Sequence, residues 1–197
     1  MSKYKNFIIY ILLSGLIGII VGVTAGIFGI LLHFAEHTRA EHYIYFLPFL
    51  GIIGFIILYL YKHISPNSEQ GLNLAIAYNA GKVNKSGEIT ESHYNGKYPK
   101  AYGFLKLFTN LLMLLFGAST GKEGSFAAYG ASMGDYVSRI FKCRRYRRTF
   151  LLCGIGAAVS GLFQTPLGGV FFALEFTTAG VISYYALLPV TVSAYMA

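Results

Sequence analysis

A carboxylate between two glycines is the arrangement in this sequence best suited to chemistry. Gly121, Lys122, Glu123, Gly124 and Ser125 follow one another at the end of an apolar stretch. Glycine permits a tight turn and the close approach of an ion to the backbone. A helix that begins here offers unpaired amides and about half a positive charge to an anion. The motif predicts an anion site that the carboxylate can fill itself or vacate when protonated; the alternative is a glutamate that caps the helix.

Two other motifs fit known sites poorly. Residues 117–122 have three residues between their glycines where a phosphate-binding loop has four, and the residue after the lysine is not Ser or Thr. His33, Glu36 and His37 have the spacing of an inverted zinc-peptidase motif, but they lie at the end of an apolar segment and lack an identifiable third ligand. We therefore expect no nucleotide site, no metal, no cofactor and no enzymatic activity, and a zinc membrane peptidase is a distant third hypothesis.

Composition indicates a membrane protein. Of 197 residues, 55% are hydrophobic and 12% are charged, whereas a soluble domain carries about a quarter charged residues. A helix needs roughly 20 apolar residues to cross the hydrocarbon core. Four charge-free stretches are long enough to span it or nearly so, namely residues 6–32, 43–61, 149–174 and 176–197. We predict an all-α, polytopic membrane protein with a single membrane domain over residues 1–197.

The predicted elements put Glu123 at the start of a helix. In chain order they are a helix over 7–32, a polar loop over 33–42, an apolar segment over 43–61, a short helix over 71–80, an exposed polar loop over 81–100, an apolar segment over 107–121, and helices over 123–141, 149–164, 167–176 and from 181 onward. Pro166 separates the helices on either side of it. Gly15, Gly18, Gly22 and Gly26 form a stripe on one face of the first helix, which is typical of helix packing in membranes.

The net charge of +8 is concentrated in one connection. Residues 139–148 contain Arg139, Lys142, Arg144, Arg145, Arg147 and Arg148. A basic run between apolar segments usually faces anionic lipid headgroups or marks a cytoplasmic loop. We therefore expect the lipid bilayer, and no nucleic acid, as the partner of this run.

Two sequence blocks together resemble the CLC chloride channel and transporter family. Residues 121–134, GKEGSFAAYGASMG, resemble the family's Gly-Arg/Lys-Glu-Gly-Pro motif and the small-residue helix after it. Residues 154–175, GIGAAVSGLFQTPLGGVFFALE, resemble a second small-residue helix, the family's Asn/Gln-x-Pro-Leu break at Pro166 and an apolar run that ends at Glu175. The resemblance implies transport of chloride or fluoride, with or without protons, and a CLC-type helical bundle with partly spanning helices. The residues it assigns are Glu123 for gating, and Gly121, Lys122, Gly124, Ser125 and Phe126 for the anion site.

The chain departs from the family pattern at three places. The Gly-Ser-Gly-Ile-Pro motif is absent, and Gly71 and Asn73 lie where it is expected and can substitute for it. Ser125 replaces the usual proline. Phe176 follows Glu175, where the exchangers often carry a second, proton-handling glutamate. The family's channels and its fluoride-exporting bacterial branch also lack that second glutamate.

The family is built from two inverted halves, and the resemblance covers the first. Three explanations are open: a truncated sequence, a degraded gene, or a half that pairs with another chain. The leading expectation is anion transport by a homodimer, or after pairing with a second half, in a bacterial plasma membrane. The alternative is a non-conducting fragment or assembly subunit.

Overall fold

The computed structural model describes residues 2–64, 101–176 and 182–197, and it contains no strand among these residues. The helices are α1 (Ser2–Phe46), α2 (Leu50–Ile64), α3 (Tyr102–Leu115), α4 (Lys122–Ile140), α5 (Arg147–Phe163), α6 (Pro166–Glu175) and α7 (Leu187–Tyr195), with 3-10 turns at Leu47–Phe49, Arg144–Tyr146 and Tyr184–Ala186. The all-α prediction is confirmed. The predicted helix at 71–80, the predicted loop at 81–100, and both Gly71 and Asn73 lie outside the described residues.

Helix α1 is longer than the sequence predicts. The prediction of a polar loop over 33–42 is wrong, because the chain is helical as far as Phe46. The helix has one kink, where the backbone of His42 leaves helical geometry. Residues 30–41 contain neither glycine nor proline, so neither residue type breaks the helix before the kink at His42. Burial continues through Leu32 and Ala35, which extends the buried face of the helix by another turn.

The glycine stripe of α1 packs against α7 over part of its length. A Cβ on Gly18 or Gly22 would overlap the backbone of Ser193 or Ala197, whereas no atom lies within 4 Å of a Cβ on Gly26. The predicted packing role is confirmed for Gly15, Gly18 and Gly22. Gly26 lies on an open face of the helix.

Helices α4 and α5 form the interior of the bundle. Every residue of α4 from Ser125 to Asp135 is buried, as is every residue of α5 from Thr149 to Ala158. A helix buried on all sides needs small residues where another backbone crosses it, and Gly130 lies directly against the backbone of Gly154. The start of α4, which carries the Glu123 motif, is therefore held by the core of the bundle.

One helical stretch, residues 7–64, contains a window long and apolar enough to cross a membrane, among the described residues. Of the four stretches expected to span, the one over 149–174 is divided at Pro166, as predicted, into helices of 17 and 10 residues. The one over 176–197 contains a helix of nine residues. At 1.5 Å per residue, the 10-residue helix α6 and the nine-residue helix α7 are shorter than the roughly 30 Å hydrocarbon core. Both are therefore partly spanning elements.

A buried ion cluster holds the connection between α4 and α5. Asp135 accepts hydrogen bonds from Arg139, at 2.6 Å, and from Nε of Arg147. The aspartate side chain is 4% exposed and the two arginine side chains 23% and 21%. The carboxylate therefore ties the last turn of α4 to the first turn of α5.

We expect Asp135→Asn to lower the free energy of unfolding by about 1–3 kcal/mol. Removing one partner of a buried ion pair leaves uncompensated charge, and water reaching the two arginines reduces the loss. The measurement is the midpoint of thermal unfolding in detergent, followed by circular dichroism. Glu36→Gln, which neutralises an exposed carboxylate on α1, is the control, and equal midpoints for the two variants would contradict the role of Asp135.

Candidate functional site

The turn before α4 is fixed by side-chain hydrogen bonds from α3 and from α4 itself. Nδ2 of Asn110 donates to the carbonyl oxygen of Gly121 at 3.2 Å and to Oγ1 of Thr120 at 3.1 Å. The hydroxyl of Ser125 donates to the same Gly121 carbonyl at 3.4 Å. The first four amides at a helix start have no partner within the helix. This turn therefore leaves the amides of residues 121–124 able to bind a ligand.

A cavity of about 390 Å³ lies beside this turn. Gly121, Gly124 and Ser125 contribute to its wall from the start of α4. No atom lies within 4 Å of a Cβ built on Gly124, so the backbone there is open to a small ligand. The remaining lining residues come from α2, α3 and the turn: Ile57, Tyr61, Lys106, Thr109, Asn110, Met113 and Thr120.

The electrostatics of the cavity favour an anion. The ammonium of Lys106 lies 5.2 Å from the centre of the Tyr61 ring, a cation–π contact. The hydroxyl of Tyr61 is 2.9 Å from that of Thr109, which fixes the ring over which the lysine lies. A lysine cation and the positive end of a 19-residue helix therefore border one cavity, and both lower the energy of a negative ion there.

Glu123 lies at the edge of this arrangement. Its side chain is exposed, and its Oε2 is 3.3 Å from the position that a Cβ on Gly121 would take. Among the described residues it makes no hydrogen bond or ion pair, so the capping alternative finds no hydrogen bond to support it. The Glu123 carboxylate therefore lies next to the turn at Gly121 with no partner in the described part of the chain.

The other predicted residues are distributed as follows. Lys122 is exposed in the first turn of α4. Phe126 is fully buried, and its ring stacks on that of Phe28 at 5.4 Å, so its side chain belongs to the core. Pro166 begins α6 and Glu175 ends it, and neither is among the residues that line the cavity.

Sequence reasoning missed the wall of the cavity that α2 and α3 provide. Lys106 and Asn110 are polar residues beside or within an apolar stretch, and such residues at membrane depth are costly and tend to be functional. Both residues carry that signal in the sequence. The sequence does not indicate that these two residues lie near Gly121, because that proximity depends on how α3 packs against α4.

We expect Asn110→Leu to lower the free energy of unfolding by about 1–2 kcal/mol, because it removes two hydrogen bonds to the turn, each worth roughly 0.5–1.5 kcal/mol. Thermal unfolding in detergent is the measurement. Thr38→Val is the control, since it removes an exposed hydrogen bond to the Phe34 carbonyl within α1. If both variants unfold at the same temperature as the unaltered chain, Asn110 does not hold the turn.

The histidine motif does not form a metal centre among the described residues, where no group of three His, Cys, Asp or Glu side chains has a suitable arrangement. His37 instead pairs with Glu41 at 3.6 Å, one helical turn further on. His33 lies on an exposed face of α1. The exposed pair at His37 is what a continuous helix produces from residues four apart.

The family model of the voltage gated chloride channel matches residues 53–197. The chain belongs to this family. Members of the family are integral membrane proteins that act as channels and transporters rather than enzymes. The fold of this chain is the first half of the CLC helical fold.

Individual relatives agree with this assignment. The chain is 30% identical over 191 residues to a chloride/fluoride channel protein of Pseudomonas syringae pv. tomato, a match that covers 95% of this chain and 39% of that protein. A solved structure of a CLC-type fluoride/proton antiporter is similar with a TM-score of 0.86 at 30% identity, over 98% of this chain and 46% of that one. A slow cyanobacterial Cl⁻/H⁺ antiporter shares the fold, with a TM-score of 0.75 at 19% identity, over 95% of this chain and 44% of that one. The CLC chain thus spans less than half the length of these relatives.

Proposed function

We propose that this CLC chain forms the first half of a pathway for chloride or fluoride, and that Glu123 is its gating carboxylate. The observation that carries the proposal is the cavity at the start of α4. It is lined both by the open backbone at Gly124 and by the Lys106 side chain. The anion lies against the amides of residues 121–124. Gly121, Lys122, Ser125 and Phe126 form the turn and the first helical turn around it. Gly71 and Asn73 are proposed to contribute to the same anion site.

The electrostatics give Glu123 its role. An anion and a carboxylate compete for the same positive helix end, because each satisfies the unpaired amides there. Protonation removes the charge of the carboxylate and leaves the amides to the anion. One relative of similar fold is a fluoride/proton antiporter, and we propose that protons reach Glu123 in this chain as well, although Phe176 follows Glu175 where a second glutamate would serve them.

The test is anion efflux from liposomes that contain the purified chain, followed with chloride- and fluoride-selective electrodes. Efflux of either ion, altered by Glu123→Gln, supports the proposal, and the faster ion names the substrate. A chain that is verifiably inserted but moves neither ion refutes a pathway made by this chain alone.

A second candidate function is assembly with another membrane chain. Gly26 and Gly29 on α1 have no atom within 4 Å of a built Cβ, and they line a groove of about 500 Å³ with Gly161 and Gln164. Small residues that face nothing are suited to a further membrane helix. We propose a second half of the CLC fold, or another copy of the chain in a homodimer, as the occupant. Chemical cross-linking in a bacterial plasma membrane, the proposed location, distinguishes a pair of copies from a heteromeric pair.

A further inference from the structure

Contacts between distant segments place the start of α1 beside the basic connection between α4 and α5. The ring of Tyr10 on α1 lies 4.4 Å from that of Tyr146 and 5.5 Å from that of Phe150. The first turns of α1, whose sequence includes Lys3 and Lys5, therefore lie at the same end as the connection between α4 and α5. Glu123 lies at the opposite end of α4, 12 residues before Asp135.

Two of these cations are already neutralised in part. Arg139 and Arg147 both pair with the buried carboxylate of Asp135. Their role is to fix the connection, so the surface that it presents has a defined shape. A charged surface on a fixed support loses less entropy on binding than one on a flexible tail.

Three further cations project from the fixed connection. Lys142 and Arg145 are exposed and Arg148 is half-buried. Their side chains form no hydrogen bond or ion pair with any residue in the described part of the chain. Their charge is therefore available to an external anion.

Exposed apolar side chains come directly before Lys142 in the chain. Ile140 is 55% exposed and Phe141 is 49% exposed, immediately before Lys142, and Tyr136 lies one turn earlier with 48% exposure. Apolar and aromatic side chains beside cations are the pattern of a surface at the boundary between acyl chains and headgroups. A nucleic acid reaching the cations would have to cover this apolar surface, whereas a lipid satisfies both parts at once.

We propose that the surface formed by Lys142, Arg145 and Arg148, with Ile140 and Phe141 beside it, binds the phosphates of anionic lipid headgroups. The acyl chains of the same lipid contact the apolar side chains. The inference concerns the opposite end of α4 from Glu123 and does not depend on the proposed anion pathway. By the bias of cationic loops toward the cytoplasm, this end faces the inner leaflet.

The absence of tryptophan from the 197 residues gives a clean assay. Tyr136→Trp introduces a single energy donor beside the surface, in vesicles of phosphatidylcholine that contain a trace of pyrene-labelled phosphatidylglycerol or of pyrene-labelled phosphatidylcholine. We expect more transfer to the anionic probe than to the zwitterionic one. Each of Lys142→Gln, Arg145→Gln and Arg148→Gln should reduce the enrichment by roughly fivefold at most, from about 1 kcal/mol per cation near the surface, and the triple variant should abolish it. Equal transfer to both probes would overturn the proposal.

Three controls locate the effect. The charge-preserving triple variant Lys142→Arg, Arg145→Lys, Arg148→Lys should retain the enrichment, which separates charge from folding. Tyr45→Trp, 73% exposed near the far end of α1, should show little preference; an equal preference there would mean that net charge, and not this surface, attracts the lipid. Displacement of the labelled lipid by inorganic phosphate or by an oligonucleotide, at constant ionic strength, would assign the surface to that ligand instead and overturn the proposal.

Discussion

Glu123→Gln is expected to raise the affinity of the site for an anion and to alter anion flux. The amide has nearly the shape of the carboxylate but no charge to compete for the amides at the start of α4. Two unit charges 4 Å apart interact by about 1 kcal/mol in water and about 4 kcal/mol at an effective dielectric of 20. Loss of that repulsion predicts an increase in anion affinity of at least about fivefold.

The measurement has a binding arm and a flux arm. Fluoride and chloride binding to the purified chain is followed by calorimetry, and efflux from liposomes is recorded at one fixed pH. We expect tighter binding in the variant, because no carboxylate competes with the anion for the helix start. We also expect its efflux to differ from that of the unaltered chain.

Glu36→Gln is the matched control. It makes the same chemical change at an exposed glutamate of α1, in the interior of a helix rather than at a helix start. We expect it to leave both anion affinity and anion flux as they are in the unaltered chain. A Glu123→Gln variant that behaves like this control would refute the gating role, whereas a change in binding without flux would support the site and refute a complete pathway in this chain.

The start of α4 is predictable because its signals are local. Gly121 and Gly124 flank the carboxylate, and the small residues that follow predict a helix that other backbones approach closely. Pro166 predicts the division between α5 and α6 for the same reason, since proline cannot continue a helix that precedes it. Local rules of this kind need no knowledge of the neighbouring elements.

The far end of α1 shows where local rules fail. The polar residues after the apolar run of α1 predict a loop, and they are His33, Glu36, His37 and Arg39. Polarity determines which face of a helix is exposed, but it does not end a helix that contains no glycine or proline. The buried Ala35 continues the packed face of α1 beneath those polar side chains.

The cavity could not be predicted from the sequence, because it is made by the approach of three helices. The turn of the chain between Leu115 and Lys122 places Lys106 and Asn110 of α3 in one cavity with Gly121. Tyr61 of α2 lines the same cavity. Asp135 is a similar case, since its second arginine is 12 residues away along the chain. Charges that pair across a connection become visible only when the helices on both sides are packed.

Gly154→Leu is expected to destabilise the chain more than Asp135→Asn or Asn110→Leu. A Cβ at this position would overlap the backbone carbonyl of Gly130 and would lie 3.3 Å from the amide nitrogen of Gly134. The obstacle is backbone on the facing helix, so no side chain can rotate away to make room. Overpacking in a core typically costs about 1–3 kcal/mol, and with a whole leucine side chain between two backbones we expect about 3 kcal/mol or more.

The expected shift in the unfolding midpoint is about 10 °C, at roughly 2–4 °C per kcal/mol for a chain of this size, measured by circular dichroism in detergent. Gly29→Leu is the matched control, because it adds the same atoms to a helix position with nothing within 4 Å. We expect no loss of stability there, and a slight gain from the better helix propensity of leucine. Equal shifts for the two variants would contradict the close α4–α5 crossing.

The same substitution connects the core to the proposed site. Helix α4 carries Gly124 at one end and Asp135 near the other, and its middle rests on α5 at Gly130 and Gly134. Forcing the two helices apart at Gly154 therefore moves the start of α4 away from the α3 wall of the cavity. We expect Gly154→Leu protein that is still inserted to lose anion binding even though Glu123, the proposed gating carboxylate, is intact. Binding that survives the loss of stability would mean that α3, rather than the α4–α5 crossing, positions the helix start.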